Sequence, residues 1–194
     1  MRNADKWKNI FCLEGLWSEN LKDNSSVEPV LRLLHNQYPK MNYVHRDCAT
    51  VVEFEFYISR WVLKKYDDHP VLYLAFHGKE KSILLSDGDI ELLRLSEILK
   101  DKCKNRIIIF ASCNTLNIDK RFIKNFIKST GALAVCGYQT DVNWVTSTAF
   151  ELLLLEGVQD YEFSGRGIGA IEKNLDKISK RFSELNFRMV TNKA

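Results

Sequence analysis

No stretch of this 194-residue sequence is apolar over the roughly 20 residues that a bilayer-crossing helix needs, which argues against a membrane partner. The residues from Met1 to Lys6 lack the apolar segment of a secretory leader, and the first apolar run is short and leads into Glu14, so the expected location is the cytoplasm. The cysteines are irregularly spaced. Cys12, Cys48, Cys103, Cys113 and Cys136 make an odd number with no CxxC pair, which excludes a disulfide framework and suits a reducing compartment. Neither GxGxxG nor GxxxxGK[ST] occurs, so there is no phosphate-cradling loop and no nucleotide cofactor is expected. A formal net charge of +3 is too small to point to nucleic acid. Internal repeats and low-complexity linkers are absent as well.

What remains is an ordinary globular composition. Hydrophobic residues make up 45% of the chain, enough to bury a core without disulfides or metals, and the length suits a single domain over residues 1–194. Strands and helices are predicted to alternate. Short apolar runs at 9–13, 41–45, 71–76, 106–110, 132–136 and 187–190 read as strands, and those at 71–76, 106–110 and 132–136 are continuous enough to be buried on both faces. Helical spacing is found at 28–37, 50–65, 95–103, 119–129, 147–155 and 169–181, with Pro29 in a permissive first turn. A hairpin is expected where 82–85 and 90–92 flank Asp87-Gly88. The basic residues Lys120, Arg121, Lys124 and Lys128 read as a solvated helix face. The predicted fold is α/β: a three-layer sandwich with a mostly parallel central sheet of about six strands flanked by helices.

In such sheets chemistry gathers at the carboxyl ends of the strands. There, Val71-Leu-Tyr-Leu-Ala-Phe76 runs into His77-Gly78, and Arg106-Ile-Ile-Ile-Phe110 runs into Ala111-Ser112-Cys113. Parallel neighbours about 4.8 Å apart would carry both groups to one rim. A thiol is mostly protonated at neutral pH, and its thiolate is the nucleophile. An adjacent imidazole takes that proton and later delivers one to a leaving amine. Gly78 leaves room for close approach, and its N–H, with that of Cys113, is a candidate oxyanion hole.

At these residues the sequence resembles the caspase-like cysteine peptidases, the group of caspases, metacaspases, gingipains, separase and bacterial CHAT domains. The shared pattern is an apolar block ending in His-Gly, then one ending in small residues and Cys, here YLAFHG and IIIFASC. The nearest likeness is to a compact CHAT-type member. The resemblance implies a thiol protease hydrolysing peptide bonds of protein or peptide substrates, with Cys113 as nucleophile and His77 as general base and acid, under the control of a regulatory protein, ligand or ordering loop. It implies a place in bacterial defence. The caspase pentapeptide around the cysteine is absent, as is a long cleavable linker, so neither Asp specificity nor activation by internal cleavage is implied. The family's primary pocket draws on the loop after the first strand and on the segment after the strand beyond the cysteine. Those positions hold Glu14 and Asp141, and two carboxylates there would favour Arg or Lys before the scissile bond. The competing reading makes Glu14 a cap or a surface group and Asp141 the cap of the helix near Val145.

Other constellations carry less. His45 and Cys48 with Cys12 supply only three ligands in no zinc spacing, so no metal is expected. The glycines of Gly165-Arg-Gly-Ile-Gly169 read as a loop before the last helix. Two alternatives to a peptidase stand beside it: a catalytically inactive caspase-like binding module, and a flavodoxin-like signalling domain with Cys113 buried.

Overall fold

The structure is a computed structural model that describes residues 7–193. Its centre is a six-stranded sheet built from β1 (Ile10–Glu14), β2 (Tyr43–Asp47), β3 (Val71–Ala75), β7 (Ile107–Ala111), β8 (Ala134–Tyr138) and β9 (Phe187–Thr191), in the order β2-β1-β3-β7-β8-β9. All neighbours are parallel except β8 and β9, which run antiparallel. Between β3 and β7 the chain makes a small antiparallel sheet of β4 (His77–Lys79), β5 (Ser82–Leu85) and β6 (Gly88–Glu91). The helices are α1 (Glu28–Gln37), α2 (Val51–Trp61), α3 (Leu92–Ile98), α4 (Lys120–Thr130), α5 (Trp144–Gly157) and α6 (Gly165–Ser179).

The side-chain alternation of a strand explains the three layers. In β3, Val71, Tyr73 and Ala75 join one apolar cluster with α1, α5 and α6, while Leu72 and Leu74 join the other, with α2, α3 and α4. β1 and β7 divide in the same way, Ile10 and Cys12 against Phe11 and Leu13, Ile107 and Ile109 against Ile108 and Phe110. A strand covered on both faces has no polar side, and this is why β1, β3, β7 and β8 are buried at every position. The outermost strands β2 and β9 are only partly buried.

Local chemistry sets the helix ends. Thr50 and Glu53 form a reciprocal capping box at the start of α2, and Asp119 accepts the Arg121 N–H at the start of α4. Gly131 ends α4 with a φ of 76°, a left-handed conformation that favours glycine. Ser164 caps α6, so Gly165-Arg-Gly-Ile-Gly169 is the first turn of that helix rather than a loop; Gly167 lies so close to the Glu162 carbonyl that a side chain there would collide with it. No helix among the described residues is long and apolar enough to cross a membrane.

Leu74 sits fully buried in β3, paired with Leu13 and Phe110. Leu74→Ala should lower the unfolding free energy by about 2–5 kcal/mol in urea titration, the usual cost of a core cavity.

Candidate functional site

Ladder register brings the His and Cys segments together. Ala75 of β3 pairs with Ala111 of β7, so His77 and Cys113 each stand two residues past the last rung. The Phe76 N–H donates to the Ala111 carbonyl at 3.3 Å and continues the pairing. Gly78 closes the approach, because a methyl group on it would sit 2.5 Å from the Cys113 carbonyl oxygen and would also collide with Thr115 and Ser112. His77 and Cys113 line the same cavity of about 120 Å³.

The turn that carries the thiol is fixed on all sides. Ser112 and Thr115 share a hydroxyl hydrogen bond of 2.7 Å. Asn114 takes a left-handed φ of 57°, which asparagine tolerates better than most residues. Its N–H donates to the Thr140 carbonyl at 3.1 Å, and its side-chain amide donates to Asp141. The Val142 N–H points at Cys113 Sγ, 3.4 Å away. Among the described residues the Cys113 N–H has no acceptor, which leaves it available as an oxyanion donor. Cys113 is half-buried, whereas the other four thiols are buried, and burial pushes Cys48 and Cys103 up to about 12 and raises Cys12 and Cys136 as well.

His77 is exposed, and its Nε2 lies 3.0 Å from the Trp17 carbonyl oxygen. A carbonyl can only accept, so Nε2 carries the proton and Nδ1 is the nitrogen left to take one. The Trp17 ring also meets His77 edge-on at 5.3 Å and Trp144 at 4.7 Å, making an aromatic wall. Among the described residues no hydrogen bond joins the His77 ring to Cys113 Sγ.

Glu14 and Asp141, the carboxylates expected in the substrate pocket, do not line this cavity. Glu14 is buried and faces a neighbouring depression, where it accepts from Trp17 Nε1, Ser26 Oγ, the Val27 N–H and His45 Nε2. Burial alone would raise its carboxyl, but these donors outweigh burial and hold it below the usual value. Asp141 is exposed and is engaged by Asn114; the cap of α5 is Asn143, whose side chain accepts from Val145 and Thr146. As for metals, the Glu14, His45 and Asp47 ligand atoms lie within 4.8 Å of one another, but Glu14 already has four donors, and neither Cys12 nor Cys48 belongs to the group.

The acid that does line the cavity is Glu151 of α5. It is buried and accepts from the Tyr73 and Tyr138 hydroxyls, which project from the α5 face of the sheet. Burial pushes its carboxyl up to about 7, against the lowering effect of the two hydroxyls and with added repulsion from Glu14. Sequence reasoning missed it. Its neighbours on the same face of α5, Ser147, Phe150, Leu154 and Leu155, are all buried, but Leu152 and Leu153 make the other side of the helix apolar too, so no periodic stripe in the sequence marks the face on which Glu151 lies.

Residues 7–190 match a family of unknown function, DUF6642. The chain belongs to that family. No curated protein matches the chain significantly. Both His77-Gly78 and Ser112-Cys113, and Glu151 with them, fall inside the DUF6642 match.

Two outcomes follow from this geometry. Gly78→Ala must push apart the His77 and Cys113 segments, and should lower both stability and alkylation of Cys113. Glu151 supplies a signed pH effect. Its carboxyl titrates near its ordinary 4.5 when unfolded and at about 7 when folded, so between these values only the unfolded chain loses the proton and stability falls as pH rises. Glu151→Gln removes that loss. The stability difference between variant and parent should move in the variant's favour by on the order of 2–3 kcal/mol between pH 4.5 and 8. A difference that is flat with pH in urea titrations would refute the assignment.

Proposed function

We propose that this chain is a caspase-like, CHAT-type cysteine endopeptidase of the cytoplasm, acting on protein or peptide substrates through His77 and Cys113. The observation that carries the reading is the contact of the Gly78 backbone with the Cys113 loop, with an imidazole and the one half-exposed thiol of the chain on a common cavity. The free thiols suit a reducing cytoplasm.

The chemistry runs as follows. His77 Nδ1 takes the proton of Cys113 Sγ, and the thiolate attacks the scissile carbonyl carbon. The oxyanion that forms is met by the Cys113 N–H, with the Gly78 N–H as second donor. The imidazolium then gives its proton to the departing amine as the C–N bond breaks. Water, deprotonated by the same ring, hydrolyses the thioester and releases the thiol. The Trp17 carbonyl is the orienting partner of the base, holding the tautomer that this sequence of steps requires. The Val142 N–H directed at the sulfur complements the negative charge of a thiolate. No hydrogen bond joins the His77 ring to Cys113 Sγ among the described residues, and dyads commonly tighten only around substrate. No cofactor or metal enters these steps.

The loop that carries Trp17 is tied to Glu14 and lies against His77, so a regulator acting on that loop would act on the base. This is the control point for a regulatory protein in a defence role.

Iodoacetamide should label Cys113 in the native chain well ahead of the four buried thiols, and His77→Ala should slow that labelling. Cys113→Ala should abolish hydrolysis of a fluorogenic peptide panel, and His77→Ala should reduce it by roughly 10²-fold or more. Labelling that ignores His77, with no peptide cleaved, would refute the peptidase and favour a binding module of the same fold.

A further inference from the structure

A buried carboxylate normally has a cation or a full set of donors. Glu151 has neither. It is 4% exposed, and its two oxygens receive one tyrosine hydroxyl each, out of about four acceptor positions. Among the described residues no Lys, Arg or His pairs with it. What it has instead is a cavity. The lining runs from the exposed rim at His77 and Trp144 to buried Glu151, and apart from His77 and Cys113 no other lining group can carry a charge.

We propose that this cavity is a cation subsite, in which Glu151 receives the ammonium or guanidinium of a basic side chain while Trp17 and Trp144 wall its stem. In its role as a substrate pocket the subsite rests on the peptidase reading, since it then selects Lys or Arg beside the bond that Cys113 attacks. Three features fit that ligand. The aromatic wall at the mouth offers ring faces and edges to an alkyl stem and favours a cation over a neutral group. The space of about 120 Å³ is smaller than the ~150 Å³ cavity that takes a benzene ring, so it admits a narrow chain better than an aromatic one. A carboxyl raised by burial is drawn into its ionised form by an arriving cation, which restores the partner that burial denies it. Glu14 could not serve in this way, because its lone pairs are already taken by four donors.

The subsite is tested apart from catalysis with the Cys113→Ala chain. Butylammonium and butylguanidinium, with butanol as the neutral probe, are titrated against the fluorescence of the cavity tryptophans and against thermal unfolding. The cations should bind at least about tenfold more tightly than butanol. Glu151→Gln in that background should abolish the preference, and Glu151→Asp, which keeps the charge on a shorter stem, should retain part of it; far-UV circular dichroism establishes that each variant is folded. With the native thiol, a lysyl chloromethyl ketone should alkylate Cys113 at least about tenfold faster than the norleucyl analogue, and Glu151→Gln should level the two. Equal binding of butanol and the cations to Cys113→Ala, or a preference that survives Glu151→Gln, overturns the subsite whatever the fate of the peptidase. Cation binding that depends on Glu151, alongside Cys113 labelling that ignores His77, sustains the subsite and overturns the peptidase.

Discussion

The arrangement depends on one constraint, the close parallel pairing of β3 and β7 with Ala75 opposite Ala111. Two small residues at the last rung let the backbones stay together past the end of the ladder. Gly78 extends that approach to the Cys113 loop, where no Cβ can be accommodated. A one-residue slip in this register would exchange the faces of every side chain in the strand, sending Leu72 and Leu74 toward α5 and Tyr73 away from it. The apolar faces on either side forbid the slip. Core packing therefore sets the relative height of His77 and Cys113, and the site inherits its geometry from the burial of residues that never touch it.

The same parity aims the polar groups. Tyr73 and Tyr138 are on the face that meets α5, which is why their hydroxyls converge on Glu151. On β1, Glu14 lies at the rung of Ala75 and gathers His45 from β2, Trp17 and Ser26 from the following loop, and the backbone at the entry to α1. Since Trp17 also holds His77 through its carbonyl, a chain of contacts leads from a buried carboxylate to the His77 ring. Removing one partner from a buried, hydrogen-bonded charge usually costs several kcal/mol, which keeps Glu14 on its donors.

How much of this could be read from the sequence follows from what leaves a periodic trace. The buried strands were legible because a strand covered on both faces must be apolar throughout, and Val71–Ala75 and Ile107–Ala111 lie where their runs place them. Glu28–Gln37 was legible to the residue, while the helix expected from 50 to 65 stops at Trp61 and passes into a short 3-10 turn at Lys64–Tyr66. The strand His77–Lys79 was not legible, because its three residues carry no alternation and exist only by pairing with Ser82–Leu85. The glycines of 165–169 hid the start of α6, where a cap at Ser164 and the space beside Glu162 override their low helix propensity. The His and Cys segments could be found because they end apolar runs. The acid of the cavity could not be placed, since α5 carries apolar residues on both sides and no periodic stripe marks the face of Glu151.

Glu14 and Glu151 show why position in the chain is a poor guide to the role of a carboxylate. Both are almost fully buried, at 2% and 4% exposure, so the desolvation cost alone does not tell them apart. The donors do. Four donors, one of them a histidine, make ionisation of Glu14 favourable and commit it to holding a loop. Two neutral hydroxyls are too few to do the same for Glu151, which keeps its proton to about 7. A group balanced between its two forms beside an open space responds to whatever enters that space, and a group already saturated does not. The difference lies in the number of donors, and that number is set by which strand face and which helix stripe each residue occupies.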